Sequence, residues 1–247
     1  MIPLRDVNPT RTTPFMVYAI IIANILIYLY NGALYPHAQN PLAGYELIPY
    51  ELVTGKNLGP PIPAGFWVTV FTAMFLHANL LHVGVNMLYL WIFGNNVEDV
   101  LGHFRFFAFY LLSGVGAATA QILTDPLSKV PMVGASGAIA GVLAAYLILF
   151  PGARIVSLVI YFIIDLPAYV ILGFWIFLQI VNSFLIIGSG SQASGGVAFA
   201  AHVGGFITGL AITMIFGGRR LLRGRRPVNY SIFTGMHNFL ACLLSLK

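Results

Sequence analysis

The chain has 247 residues, of which 59% are hydrophobic and only 8% are charged, with a formal net charge of +5. Soluble domains carry about 25% charged residues, so this composition excludes an ordinary water-soluble protein and indicates a chain largely surrounded by lipid. The single cysteine excludes an intrachain disulfide and a metal site built from several cysteines.

Six apolar segments follow one another along the chain, most of them close to the length of about 20 residues that crosses a hydrocarbon core. No convincing small-residue cleavage site follows the first segment, so we expect it to be retained rather than removed as a signal peptide. The sequence therefore predicts an all-α membrane protein with six transmembrane helices, at residues 14–31, 81–97, 104–123, 136–150, 168–187 and 197–216.

Two connections between these segments are informative. The stretch 67–79 is apolar but too short to cross the membrane, which predicts a re-entrant or interfacial loop between the first two helices. It follows the long connection 32–66, in which Pro60-Pro61 and Pro63 block regular structure. Residues 151–167, with prolines at both ends, are expected to be an irregular loop.

Positive charge lies at the two ends of the chain, with Arg5 and Arg11 before the first segment and five arginines between residues 219 and 226 after the sixth. An even number of helices puts both termini on one side, and the positive-inside rule makes that side cytoplasmic. An arginine-rich run can also bind nucleic acid, but beside a membrane helix it acts as a topological anchor, so we expect no nucleic-acid partner. The apolar stretch 239–246 is too short to span and leaves a seventh partial segment open.

Ser136 stands at the start of the fourth segment, between Gly134-Ala135 and Gly137. A helix N-terminus leaves backbone N–H groups unpaired and carries partial positive charge, which favours an anion such as the oxyanion of a tetrahedral intermediate. The flanking glycines would let a substrate backbone come close. The pattern fits a nucleophilic serine, but it also fits a serine that caps the helix beside glycines used for packing.

His202 lies near the start of the sixth segment, which in the predicted topology runs inward from the outer side, as the fourth does. Ser136 and His202 are therefore expected at similar depth below the outer surface. Small residues recur every four positions in both segments, at Ser136, Ala140 and Ala144 and at Ala201, Gly205 and Gly209. Such faces allow the close helix approach that a serine needs to reach an imidazole within about 3 Å. The alternative is small-residue packing around a hydrogen-bonded core histidine.

No carboxylate accompanies this pair, because none of the seven acidic residues lies within a predicted segment at outer depth. Asp165, in the connection 151–167, is expected on the cytoplasmic side. A serine hydrolase built on this sequence would therefore use a Ser–His dyad. Its imidazole would have to be oriented by packing or by another hydrogen bond rather than by a carboxylate.

The second segment adds polar side chains at its outer end. His82 and Asn86 are four residues apart and share one helix face, from which both can donate to a developing oxyanion. His77 precedes the helix, and we expect it to pin the stretch 67–79 by hydrogen bonds, a structural role that is also the alternative for His82. A metal site built from His77, His82 and His202 would leave Ser136 unexplained and lacks the H-E-x-x-H pattern.

Taken in chain order, these residues resemble the rhomboid family of intramembrane serine proteases. Each short pattern alone is weak, whereas four in the family's order, over about residues 67–210, are a specific signal. The patterns are His77 to His82 with Asn86, Gly94 to Glu98 with Gly102, Gly134 to Gly137, and Ala201-His202 with Gly205 and Gly209.

The resemblance implies a six-transmembrane-helix rhomboid-like bundle with a short re-entrant or interfacial loop between helices 1 and 2. Residues 1–13 would be a cytoplasmic N-terminus, 14–217 the rhomboid-like membrane domain, and 218–247 a basic cytoplasmic tail. The active site would open toward the extracytoplasmic side and cleave single-span or multi-span membrane-protein substrates in or near their transmembrane segments. The bilayer is the other implied partner, and no metal or cofactor is needed.

The resemblance also implies a role for each site residue. Ser136 is the nucleophile, and His202 is the general base and then the general acid. His82, Asn86 and the Ser136 N–H stabilise the oxyanion. The implied structural residues near the site are His77, Gly134, Gly137 and Gly205, and Glu98 belongs to a structural network on the inner side.

Two departures from the family pattern concern the surroundings of the dyad. Trp67 stands without the arginine that many members carry in the loop before the first histidine, so the family's way of anchoring this loop is not expected to carry over. Ala140 occupies the place, four residues after the serine, where some bacterial members have an aromatic residue under the histidine. His202 is therefore expected to be held in another way.

The fifth segment is the expected lateral route by which a substrate reaches the site, with Phe174, Trp175 and Phe177 closing the cavity against lipid. The alternative is that these are ordinary lipid-facing or core aromatics. The nearest alternative function is a catalytically inactive rhomboid-like protein that binds membrane clients, although such relatives typically lack the serine or the histidine. A transporter is disfavoured, because the sequence lacks inverted repeats and intramembrane carboxylates.

Overall fold

The computed structural model describes residues 1–33, 42–59, 65–189 and 198–222, which are mainly helical. Short 3-10 and π-helical turns extend or join several of the α-helices. The α-helices are α1 (Phe15–Tyr28), α2 (Pro49–Thr54), α3 (Thr69–Thr72), α4 (Leu80–Tyr89), α5 (Asn95–Leu101), α6 (His103–Thr124), α7 (Ser136–Leu149), α8 (Ala168–Ser189) and α9 (Phe199–Ile215). The strands are β1 (Ile2–Asp6), β2 (Arg154–Val159) and β3 (Phe162–Pro167). Most of the predicted basic tail, residues 223–247, and the prolines at 60–63 lie outside the described residues.

Two helices of the described ranges, α6 and α8, are long and apolar enough to cross a membrane. A third candidate is a bent pair, Phe66–Phe75 with Leu80–Leu101, whose two parts meet at 79°. The other apolar helices fall short of a full span by length, at Phe15–Asn31, Ser136–Leu149 and Phe199–Ile215. Each of the six predicted segments thus contains a helix, and two or three of these helices qualify as membrane spans by length and composition.

The bend before α4 has a local cause. Leu76 leaves the helical conformation for an extended one, and Asn79 is extended as well. The Asn79 side chain then accepts a hydrogen bond from the backbone N–H of His82 at 2.8 Å, which caps the start of α4. The apolar stretch predicted at 67–79 is therefore mostly a short helix that lies across the start of α4 rather than in line with it.

The fold is mainly helical, as predicted, but the expectation of an irregular loop at 151–167 is wrong, and the structure adds a small sheet to the helices. Strands β2 and β3 form an antiparallel hairpin, and β1 pairs with β2 to give a three-stranded sheet in the order β1-β2-β3. Both hairpin strands are rich in isoleucine and valine, whose branched side chains favour strands. The third strand comes from the N-terminus, far away in sequence, and gives the hairpin the partner it needs to be stable.

The N-terminal residues are tied to the helices by two carboxylates of α5. Glu98 is fully buried and accepts hydrogen bonds from the backbone N–H groups of Met16 and Val17, at 2.9 and 2.8 Å. Asp99 accepts from the backbone N–H and the hydroxyl of Thr12, at 2.9 and 2.7 Å. Carboxylates at this place satisfy free N–H groups at the start of α1 and match its dipole. Glu98 therefore has structural contacts, in keeping with the role the resemblance implies.

Helices α6, α7 and α9 pack closely through their glycines. A side chain on Gly205 would overlap the carbonyl oxygen of Gly137, and one on Gly209 would overlap the backbone of Gly141. Gly204 has the same relation to Ala120 of α6. The prediction that small residues allow close approach of the fourth and sixth segments is thereby confirmed at these glycines. Because α7 begins with Ser136 and α9 carries His202, this packing fixes the distance between the two side chains.

Candidate active site

Ser136 is the first residue of α7, and the chain before it is held from several directions. The N–H of Gly134 donates to the carbonyl oxygen of Ala73 at 2.8 Å, and Met132 pairs with Leu47 in an isolated β-bridge. Gly134 has a φ of 125°, a conformation that side chains other than glycine rarely adopt. The turn before the serine is therefore fixed by backbone contacts and by one residue that only glycine fits.

The side chains of Ser136, His202 and Gln179 form a hydrogen-bonded chain. Ser136 Oγ lies 2.8 Å from His202 Nε2, and His202 Nδ1 lies 2.8 Å from Gln179 Oε1. With the amide oxygen of Gln179 facing the ring, Nδ1 is the nitrogen that donates to it, and Nε2 is then free to accept the proton of the serine hydroxyl. The expected proximity of Ser136 and His202 is thus present in the structure, with geometry suited to a nucleophile and its base.

The aromatic residue that packs against His202 comes from α8, since Ala140 on α7 has no ring to pack beneath the imidazole. The ring of Trp175 lies 5.7 Å from the His202 ring, centroid to centroid, at an angle of 37°. Phe199, on α9 itself, meets the imidazole edge-on at 6.4 Å. The imidazole is therefore held by aromatic packing and by the hydrogen bond to Gln179, the two means expected in the absence of a carboxylate.

His82 and Asn86 of α4 face the same cavity as Ser136. The His82 ring lies directly against Gly134, where a Cβ atom would stand only 2.7 Å from its Nε2. Asn86 is 5% exposed, and its amide nitrogen has no hydrogen-bond partner among the described residues. A buried donor without an acceptor is unfavourable in a resting protein, so its position beside the serine is consistent with an anion that is present only during reaction.

His77 lies behind these groups. Its Nε2 accepts a long hydrogen bond of 3.5 Å from the N–H of Ala135, and its ring meets that of His82 edge-on at 5.1 Å. It therefore links the short helix before α4 to the turn before Ser136. Over the described ranges, no three histidine, cysteine or acidic side chains are grouped to hold a metal ion, so nothing here supports a three-histidine metal site.

The cavity has a volume of about 520 Å³ and is lined by residues from α4, α6, α7, α8 and α9 and from the loops before α4 and α7. Its described lining contains no aspartate, glutamate, lysine or arginine. Of the three aromatics expected to close it, Trp175 is a lining residue, whereas Phe174 and Phe177 are exposed on the outside of α8.

The sequence analysis did not identify Gln179 as a site residue. A polar residue in a membrane segment is costly unless it has a partner, so its presence in the fifth segment was a possible indication of a functional role. However, Asn182 and Ser183 follow it in the same helix and carry the same signal. Only the rotation of α8 against α9 tells which of the three meets His202.

Comparison with known proteins bears on the same residues. The family model of the rhomboid domain matches residues 64–219, a range that contains Ser136, His202, His82, Asn86 and Gln179. The chain is 28% identical over 200 residues to Rhomboid protein 1, mitochondrial, of Saccharomyces cerevisiae, covering 79% of this chain and 51% of that protein. It is 28% identical over 215 residues to Rhomboid protease AarA of Providencia stuartii, covering 80% of this chain and 70% of that protein.

A third relative, Putative rhomboid protease YdcA of Bacillus subtilis, is 38% identical over 97 residues, which cover 39% of this chain and 47% of that protein. The chain spans about half the length of the yeast and Bacillus proteins. The family match, by contrast, covers more than half of the 247 residues and all the residues of the cavity. Together with the apolar helices, it shows that the chain is an integral membrane protein of the rhomboid family.

Proposed function

We propose that this protein is an intramembrane serine endopeptidase that hydrolyses a peptide bond in or near the transmembrane segment of membrane-protein substrates. The observation that carries the proposal is the distance of 2.8 Å between Ser136 Oγ and His202 Nε2. The two residues lie at the N-terminal ends of α7 and α9. The sequence similarity to proteins named as rhomboid proteases also supports the proposal.

The reaction follows from this geometry in two steps. Ser136 Oγ attacks the scissile carbonyl carbon while His202 Nε2 takes its proton, and the imidazolium then gives that proton to the leaving amine, leaving an ester on Ser136. A water molecule attacks the ester carbonyl and loses a proton to Nε2. The proton is returned to Ser136 Oγ as the carboxylic acid product leaves, so the enzyme is regenerated without a metal or cofactor.

Charge develops on the carbonyl oxygen in both steps. The Ser136 N–H, in the first turn of α7, the Asn86 amide and the His82 ring are the donors that line this part of the cavity. We assign them to oxyanion stabilisation, because donors fixed in a site of low polarity act more strongly than the same groups in water. We assign structural roles to three glycines near the site. Gly134 leaves room for the His82 ring, and Gly137 and Gly205 allow α7 and α9 to pack closely.

The surrounding architecture belongs to the same proposal. We place six transmembrane helices in the membrane domain 14–217, with the bent segment Phe66–Phe75 as the re-entrant or interfacial loop. Both termini, including residues 1–13 and the basic tail 218–247, are cytoplasmic by the distribution of arginine. The cavity then opens toward the extracytoplasmic side, where a single-span or multi-span substrate would enter after its helix unwinds locally.

The alternative is a rhomboid-like protein that binds membrane clients without cutting them. It requires only the cavity and gives no role to the Ser136–His202 hydrogen bond or to the unpaired Asn86 amide. The hydrolase accounts for all three features, and we therefore prefer it.

The test is cleavage of a single-span model substrate by the purified protein in liposomes. Ser136→Ala should abolish cleavage, and a fluorophosphonate should label the wild type at Ser136 but fail to label this variant. Ser183→Ala, on α8 and outside the cavity lining, is the matched control and should cleave normally. Cleavage by Ser136→Ala at more than a few per cent of the wild-type rate, with the melting temperature unchanged, would reject the serine mechanism.

A further inference from the structure

Helix α8 makes two contacts with the proposed catalytic base from residues four apart. Gln179 Oε1 accepts from His202 Nδ1 at 2.8 Å, and the Trp175 ring packs against the same imidazole. Residues at this spacing lie on one helix face, so a single rotational setting of α8 provides both. The histidine is thus placed by a helix other than its own.

The hydrogen bond has a chemical consequence for the imidazole. A neutral imidazole exists as two tautomers, and only the form protonated at Nδ1 leaves Nε2 free to accept a proton from the serine. In the orientation that the structure shows, the Gln179 oxygen faces Nδ1, where it accepts from this form and cannot donate to the other. In serine proteases with a triad, a carboxylate on the same ring nitrogen performs this task.

No other described group is placed to do so. The titratable side chains that share the cavity with His202 are His82 and Tyr89 on α4, with His77 behind His82. Ser136 is already bonded to Nε2. A carboxylate in this apolar setting would be costly, whereas a neutral amide accepts the same hydrogen bond at a lower desolvation cost.

We propose that Gln179 is a positioning residue for His202, which selects the tautomer that can act as the base and makes this selection depend on the seating of α8. The inference rests on the proposed function for its effect on rate, but the tautomer itself can be observed without any substrate. If α8 moves aside, Nδ1 loses its acceptor and the reactive tautomer loses its advantage.

The first measurement is nitrogen-15 NMR of the histidine side chains in detergent at alkaline pH, with the His202 signals identified by their loss in His202→Gln. The wild type should show Nδ1 protonated and Nε2 unprotonated. Gln179→Met, which keeps the length of the side chain but removes the acceptor, should show signals averaged between the two tautomers. Gln179→Glu keeps an acceptor at the same distance and should retain the wild-type tautomer.

The second measurement is the rate of cleavage by the same variants. Gln179→Met should lower kcat about tenfold, the equivalent of one neutral hydrogen bond, with little change in KM. Gln179→Asn, whose amide is withdrawn by one methylene, should lose a similar factor, and Gln179→Glu should recover most of the rate. Asn182→Leu is the matched control on α8, because Asn182 bonds to the carbonyl of Leu178 in its own helix.

The outcomes separate this inference from the proposed function. A wild-type tautomer and rate in Gln179→Met, or equal losses in the Met and Glu variants, would overturn the positioning role. If Gln179→Met does not fold, Gln179→Asn carries the same test. Activity that survives in Ser136→Ala would instead reject the serine mechanism, and the NMR measurement would still decide whether Gln179 selects the tautomer.

Discussion

Asn86 is the residue whose surroundings argue most strongly for a role in reaction rather than in folding. Its amide is buried and its nitrogen lacks a partner within the part of the chain that the structure describes. A buried unpaired donor is unfavourable in the folded protein, so its removal in Asn86→Ala should not lower the melting temperature through a lost hydrogen bond. The same change should lower kcat, because loss of one oxyanion donor costs on the order of 10²–10³ in a soluble protease, and a wet cavity reduces that figure.

The comparison is made with His82→Ala and with Asn182→Ala, an asparagine outside the cavity lining, by steady-state cleavage and thermal melting of each variant. His82→Ala should also lower kcat, whereas Asn182→Ala should not. Full rates in both cavity variants would mean that the two side chains are structural and that the Ser136 N–H acts alone.

Helix α8 is largely exposed on the surface of the protein, yet it contacts His202 through two side chains, Gln179 and Trp175. A smaller part of its apolar surface is buried inside the protein than is the case for α6, the other long apolar helix of the described residues. Trp175 lines the cavity between α8 and the dyad. That the fifth segment is the route by which transmembrane substrates reach Ser136 stays a prediction, and Trp175 is the residue at which it can be tested.

Trp175→Val tests this route through a ratio of rates. Loss of packing against His202 should slow the cleavage of all substrates equally, while a wider passage should help only substrates that must enter from lipid. The ratio of kcat/KM for a transmembrane substrate to that for a short soluble peptide should therefore rise in the variant. Phe177→Val, on the exposed face of α8, serves as control. An unchanged ratio in Trp175→Val would exclude α8 as the passage.

The features that could be predicted from the sequence are those marked by a local pattern of neighbouring residues. Ser136 was placed at a helix start by its glycines, and His202 near another helix start by its setting among small residues; the structure has both positions. The sheet and Gln179 could not be predicted in this way. The strands β2 and β3 are as apolar as a helix, and their third partner is remote in sequence. Gln179 matters only through the rotation of α8, which no local pattern specifies.

At the scale of the whole molecule, the N-terminal strand is joined to the helices through Asp6. Its carboxylate accepts hydrogen bonds from the Asn96 amide at 2.7 Å and from the Tyr146 hydroxyl at 2.9 Å, so β1, α5 and α7 meet at one partly buried carboxylate. The N-terminal strand is thus joined to two helices by side-chain hydrogen bonds as well as to β2 by backbone pairing. This junction lies at the end of α7 remote from Ser136.

The junction should make stability depend on pH. Burial raises the pKa of Asp6 from 3.8 to about 6, against the opposing effect of the hydrogen bonds from Tyr146 and Asn96. Because the pKa is higher in the folded protein, the contribution of protonated Asp6 to stability is full below about 4 and is lost as the pH rises to about 6. Asp6→Asn imitates the protonated side chain and should escape this loss.

The measurement is the melting temperature of the detergent-solubilised protein across this pH range. The difference between Asp6→Asn and the wild type should be small near pH 4 and should grow in favour of the variant up to neutral pH. Asp165→Asn, which changes an exposed carboxyl on β3 of the same sheet, is the control. A difference that stays constant or shrinks for Asp6→Asn would mean that Asp6 is already ionised in the folded protein at low pH. The junction would then depend on a charged carboxylate rather than on a neutral one.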